Sequence, residues 1–195
     1  ANVALEAAGA LVRLGEKTDD VDGLVRAALA SLNPGVAAEA ITAVGRMGKA
    51  GAAHHAAVLE ALDSTLPDAR YAALGFVETL PPADRAKHLP AVGKLLADDE
   101  PLIRGRAAGV VEDLGPAAAG AAKALGDALS KEAEPGVQEQ LVNAVAALGP
   151  GGKAAVAGLL PAIADRAVAT SVRVRMIATA AALDPASPDV AAAVK

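Results

Sequence analysis

Three histidines, His54, His55 and His88, are the residues of this 195-residue chain best equipped for metal or proton chemistry. Counted from the turn residue that closes the preceding helix, His55 stands seven beyond Gly48 and His88 seven beyond Pro81, so the two occupy equivalent places in adjacent repeats. One ion would have to be shared between two layers of helix, which pack about 8 to 10 Å apart. No carboxylate stands at HExxH spacing to complete such a site. His55 also falls at the centre of an apolar stripe with Val58, Leu59 and Leu62. A packed histidine and no metal centre are expected.

Arg70, Arg104 and Arg173 recur at equivalent positions and could grip carboxylates or phosphates bidentately. The same spacing suits a structural ladder, each arginine pairing with a nearby acidic residue or helix end, and that is the expectation; Arg106 and Arg175, two residues later, are expected to be solvated. The glycines of Gly149 to Gly152 follow a helix end, where a turn accounts for them, and neither a GxGxxG nor a GxxxxGK[ST] pattern is present. There is no Gly-x-Ser-x-Gly elbow and no cysteine. The acidic pairs Glu112-Asp113 and Asp98-Asp99 sit on adjacent positions that diverge around a helix. No catalytic, cofactor-binding or metal-ligating residue is therefore assigned, no cofactor is expected, and the chain reads as non-enzymatic.

The elements that carry these residues repeat. An apolar residue followed by a turn residue recurs at Leu14-Gly15, Met47-Gly48, Leu80-Pro81, Leu114-Gly115, Leu148-Gly149 and Leu183-Asp184. That period of about 34 residues marks a repeat architecture. Three, seven and eleven residues before each apolar residue stand further apolar ones, for example Val111, Ala107 and Ile103, or Val145, Leu141 and Val137. Offsets of three, four and four trace one side of an α-helix. Pro34, Pro67, Pro101 and Pro135 stand where these helices open, since proline tolerates the first turn. Gly15, Gly48, Gly115 and Gly149 stand where a left-handed closing residue is cheapest.

A second helix follows in each repeat after turns such as Gly48 to Gly51, Gly115-Pro116 and Gly149 to Gly152. Its apolar residues include Leu89, Val92, Leu95 and Leu96, then Leu125 and Leu129, then Val156, Leu159, Leu160 and Ile163. A kink or delayed start is expected at Pro90 and Pro161.

Composition agrees with a stack of thin layers. Residues are 53% hydrophobic but only 1% aromatic, and alanine supplies much of the apolar fraction. Alanine favours helix and buries little area, so stability must come from many small repeated contacts. A net charge of −5 without a basic cluster argues against nucleic acid or an anionic membrane surface as partner. The longest apolar runs, Val142 to Leu148 and Ala154 to Ala164, are shorter than a membrane span. No signal-peptide pattern is present. A cytoplasmic location is favoured, with secreted and periplasmic ones left open. The chain begins at Ala1 without methionine and its terminal repeats look incomplete, so it is expected to be a fragment of a longer protein, with self-association through uncapped terminal repeats a second consequence.

Tetratricopeptide repeats share the period but call for tryptophan, tyrosine and phenylalanine at set places; Tyr71 and Phe76 here lie in one repeat, and there is no tryptophan. The ankyrin Thr-Pro-Leu-His signature is absent, and armadillo repeats are longer. The chain resembles the HEAT repeat, in the short form of the phycobilisome-lyase-like group. The likeness rests on the opening proline, the apolar-arginine pairs Ala69-Arg70, Ile103-Arg104 and Val172-Arg173, the alanine-rich middle and the closing Leu-Gly. The acidic stretches Asp98-Asp99-Glu100 and Glu132 to Glu134 are similar to that family's inter-repeat turn. Ala4, Ala37 and Gln138 depart from it in place of arginine.

The resemblance implies an all-α fold: a right-handed α-solenoid, or α-α superhelix, of about five to six HEAT-like hairpins forming one domain over 1–195, with units near 1–32, 33–65, 66–100, 101–134, 135–169 and 170–195. It further implies a non-catalytic scaffold that binds a protein partner on a concave second-helix face. Residues expected there are Glu60, Lys87, Lys94, Lys123, Asp127 and Asp165, among the small residues Ala56, Ala57, Ala91, Ala154 and Gly158. The alternative is an accessory domain of a lyase-type enzyme assembly. A HEAT-like DNA glycosylase would need a basic groove and aromatic residues for a flipped base, which the chain lacks.

Overall fold

Proline sets the backbone at the start of four of the long first helices, and an apolar stripe runs along each. The computed structural model describes residues 19–193, and all regular structure among them is helical. The expected turn at Leu14-Gly15 and the stripe of Val3, Ala7 and Leu11 lie outside the described residues. Pro34, Pro67, Pro101 and Pro135 each occupy the first turn of a first helix: α2 (Pro34–Met47), α4 (Pro67–Thr79), α7 (Pro101–Leu114) and α9 (Pro135–Ala147). The equivalent α11 (Thr170–Leu183) opens without proline. The predicted stripe is buried at Ala40, Val44 and Met47, at Ala69, Ala73 and Val77, and throughout α7, α9 and most of α11. Val36, Leu80 and Leu183 are only half-buried.

The turns differ from expectation. Gly48, Gly115 and Gly149 do take positive φ, at 58°, 54° and 54°. However, ψ is −130° at Gly48 and −133° at Gly115, outside the left-handed helical region. Each glycine then leads into seven residues of 3₁₀-helix, Gly48–His54, Gly115–Ala121 and Gly149–Ala155, where the sequence suggested a short turn. These stretches consume the start of each second helix and leave short α segments: α3 (His55–Glu60), α8 (Ala122–Leu129) and α10 (Val156–Ala164). Pro90 lies in the first turn of α6 (Leu89–Leu95), a delayed start as expected, whereas Pro161 is inside α10. At Gly115 an added Cβ would meet nothing closer than the Ala147 carbonyl at 3.5 Å, so the conformation rather than space demands glycine. Gly115→Ala should cost about 1 to 2 kcal/mol through that φ, read as a lowered Tm in thermal unfolding with helix content unchanged.

Two compact units divide the chain, 1–81 and 82–195. In the first, α1 (Asp19–Leu29) packs on α2 and α2 on α4, around Val25, Ala37, Ile41, Val44, Val58 and Phe76. In the second, α5 (Pro82–Arg85) leads through a 3₁₀ turn into α6, and α12 (Pro188–Ala193) follows α11. There α7 packs on α9 and α9 on α11, while α8 packs on α10 and α12 against both α10 and α11. First helices therefore contact first helices, and second contact second. α8 and α10 approach backbone to backbone, where a Cβ on Gly158 would overlap the Gly126 carbonyl, and a Cβ on Gly126 would lie 2.8 Å from the Ala155 carbonyl oxygen. Gly158 is therefore a helix-contact residue and not part of the outward small-residue surface expected of it.

Candidate functional site

One turn motif, repeated before each first helix, organises the polar side chains. Three residues ahead of the opening proline stands a short acceptor: Ser31, Ser64, Asp98 or Glu132. Its side chain accepts the N–H two residues on, at 3.1 Å for Asn33, 3.1 Å for Leu66, 3.0 Å for Glu100 and 2.9 Å for Glu134. Asp165 does the same for Ala167 at 2.8 Å ahead of α11. These bonds replace a side-chain N-cap, which among the described first helices Asn33 alone supplies directly, to Val36 N–H. Asp165, expected on the partner face, thus belongs to the turn ahead of α11.

The backbone carbonyl of the same acceptor residue is used as well. Arg70 Nη1 donates to the Ser64 carbonyl at 2.9 Å, and Arg104 Nη1 to the Asp98 carbonyl at 2.9 Å. Gln138 Nε2 donates to the Glu132 carbonyl at 2.8 Å. All three are the fourth residue of their helix and reach back six positions. Glutamine at 138 therefore preserves the ladder that its departure from arginine seemed to interrupt, because an amide supplies the one donor this bond needs. Ala37, at the same place in α2, has no side-chain donor.

Arg104 also reaches the next turn along the chain. Its Nε and Nη2 donate to Glu132 Oε2 and Oε1 at 2.6 and 2.8 Å, a bidentate pair reaching 28 residues along the chain. Glu132 Oε1 also accepts from the N–H groups of Ala133 and Glu134, and only 1% of the side chain is exposed. Burial alone would raise this carboxyl, but the bonds from Arg104 and from the backbone outweigh it and hold the group below the usual carboxylate range. The hydrogen bond to Glu132 in turn raises Arg104 above its ordinary value.

This pair floors a cleft of about 590 Å³ between the C-terminal ends of α6 and α8. Lys94, Asp98 and Asp99 line one side, and Asp127, Lys131 and Glu134 the other. Of the six residues expected on a partner face, Lys94 and Asp127 reach the cleft. Lys123 is exposed and pairs with Asp127 at 2.6 Å. Lys87 is exposed and pairs with Asp84 at 2.7 Å, which lowers the Asp84 carboxyl. Glu60 is exposed at the end of α3 in the first unit. Lys131 was not singled out in the sequence; its position one residue before the buried Glu132 is the signal that places it on the rim.

Among the histidines, the half-buried His55 meets Phe76 edge-on, ring centroids 4.8 Å apart. Its neighbour His54, which the stripe did not single out, is the buried one, and its Nε2 lies 3.0 Å from Asp22 Oδ1. The half-buried His88 lies in a 3₁₀ turn of the second unit. Among the described residues no three metal-ligating side chains converge, and no helix is long and apolar enough to cross a membrane.

No protein-family model matches the chain, and no curated protein matches it by sequence. Among solved structures, the crystal structure of an engineered protein from the Northeast Structural Genomics Consortium is similar in fold, with a TM-score of 0.61 at 17% identity, covering 98% of this chain and 90% of that one. Fold and site together define an all-helical protein whose helices pack in sequence-neighbouring pairs, with a charged cleft between the ends of two second helices.

Proposed function

We propose that the chain is a HEAT-like α-solenoid serving as a non-catalytic protein-interaction scaffold, and that the cleft between α6 and α8 receives an extended segment of a partner protein. The observation that carries this reading is the cleft itself. Its floor is the bidentate Arg104–Glu132 pair, with the glutamate buried and the arginine half-buried, already held by hydrogen bonds, so little entropy is lost there on binding. Its rim carries exposed lysine and aspartate side chains of both signs. Packing of first helix on first helix and second on second supports the repeat reading, and a face of second-helix ends fits the surface that the HEAT resemblance assigns to partners.

Peptides selected from a displayed random library against the full chain test it. Reversing Lys94 and Lys131 together to glutamate should weaken the selected peptides about tenfold, with faster dissociation or a reduced salt dependence. Unchanged binding by the doubly reversed variant would move the site away from the cleft.

A further inference from the structure

Arg173 is the fourth residue of α11, the place that Arg104 holds in α7 and Gln138 in α9. Its Nε is buried and has no hydrogen-bond partner. A buried guanidinium nitrogen without an acceptor is costly. Around it the same face of α11 is uncovered. Val174 is 59% exposed, whereas Gly105, its counterpart in α7, is buried. Ile177 is half-buried, whereas its counterparts Ala108 and Val142 are fully buried.

The chain itself contains the occupied version of this face. On α7, the turn that leads into α9 places Glu132 bidentate on Arg104, and α9 then packs along the helix. We infer that the outer face of α11 is a second docking surface, distinct from the cleft, whose occupant is a helical hairpin led by an acidic turn, with its carboxylate on Arg173 and the helix that follows covering Val174 and Ile177. Charge decides the class of occupant, since only an acceptor satisfies Arg173 and a carboxylate does so with two parallel bonds. Apolar contact from Val174 and Ile177 would add to it without setting direction.

A fluorescein-labelled peptide of residues 131–164 is the probe, carrying Gln140→Ala because Val174 stands where Gly105 gives Gln140 its room. Titration with the full chain, followed by anisotropy, should saturate. Arg173→Gln in the chain and Glu132→Gln in the peptide should each weaken binding about tenfold or more, with no further loss when combined. Circular dichroism checks that Arg173→Gln remains folded. Because a free peptide must fold as it docks, the same hairpin is also joined to the C-terminus through a flexible linker, where high effective concentration reveals weak docking as a raised Tm. The inference is overturned if neither form docks, or if docking is indifferent to both substitutions. It is equally overturned if the chain alone self-associates with rising concentration and Arg173→Gln abolishes that, since the face would then belong to a second copy. Reversal of Lys94 and Lys131 should leave hairpin docking unchanged, which separates this surface from the cleft.

Discussion

Gly158→Ala should lower the thermal unfolding midpoint by roughly 10 °C, corresponding to about 3 kcal/mol in a chain of this size. The new methyl group would overlap the carbonyl and α-carbon of Gly126 on α8, and both are backbone atoms that no rotamer change can move. Relief requires α8 and α10 to separate. Leu125 and Leu159, fully buried on the same two helices, would then lose contact. Gly109→Ala in α7 provides the control, because a Cβ there meets nothing within 4 Å. With no clash, helix propensity dominates, and that variant should be neutral or more stable by up to about 1 kcal/mol. A similar loss in both variants would show that glycine-to-alanine changes act through something other than the α8–α10 approach.

Glu132→Ala is the second large effect, expected at about 2 to 3 kcal/mol. The substitution strands three donors together: the Arg104 guanidinium and the N–H groups of Ala133 and Glu134. Loss of one member of a buried pair typically costs about 3 to 5 kcal/mol, and partial exposure of the Arg104 side chain, 17%, reduces that figure by admitting water. The same residue sets an acid dependence. Its folded carboxyl lies below the ordinary value, so its stabilisation is complete above the unfolded glutamate pKa of about 4.3. It is then lost as pH falls through the lowered folded value. Glu132→Gln should therefore flatten the fall in Tm between about pH 5 and 3 relative to the wild type. A variant that keeps the full acid dependence would assign it to other carboxylates.

Much of the secondary structure was legible because its signals are local. Proline in the first turn, glycine at positive φ and an apolar residue every three or four positions each act within one helix, and they placed α2, α4, α7 and α9. The 3₁₀ stretches were less legible. A glycine announces that φ becomes positive, but ψ near −130° depends on how the following segment packs. Of the expected partner face, Lys94 and Asp127 reach the cleft, Asp165 serves a turn and Gly158 a helix contact. Periodicity identifies one buried stripe per helix, whereas α10 touches α8 as well as α11 and has more than one buried side. A small residue on the second of those sides reads as surface.

What the sequence by itself determined is the period, the proline-led starts of α2, α4, α7 and α9, and the ladder position of Arg70 and Arg104, which glutamine at 138 turned out to share. Those follow from backbone preferences and hydrogen bonds no more than six residues long. Tertiary structure alone decided which of several similar acidic residues is buried, that Glu132 reaches Arg104 across 28 residues, that Gly126 and Gly158 bring two backbones together, and that the cleft opens between α6 and α8. A glutamate in a solvated turn and one beneath a guanidinium have the same local sequence signature. Only the packing of α9 along α7 removes water from one of them, and desolvation is what turns a common charge into a strong bond.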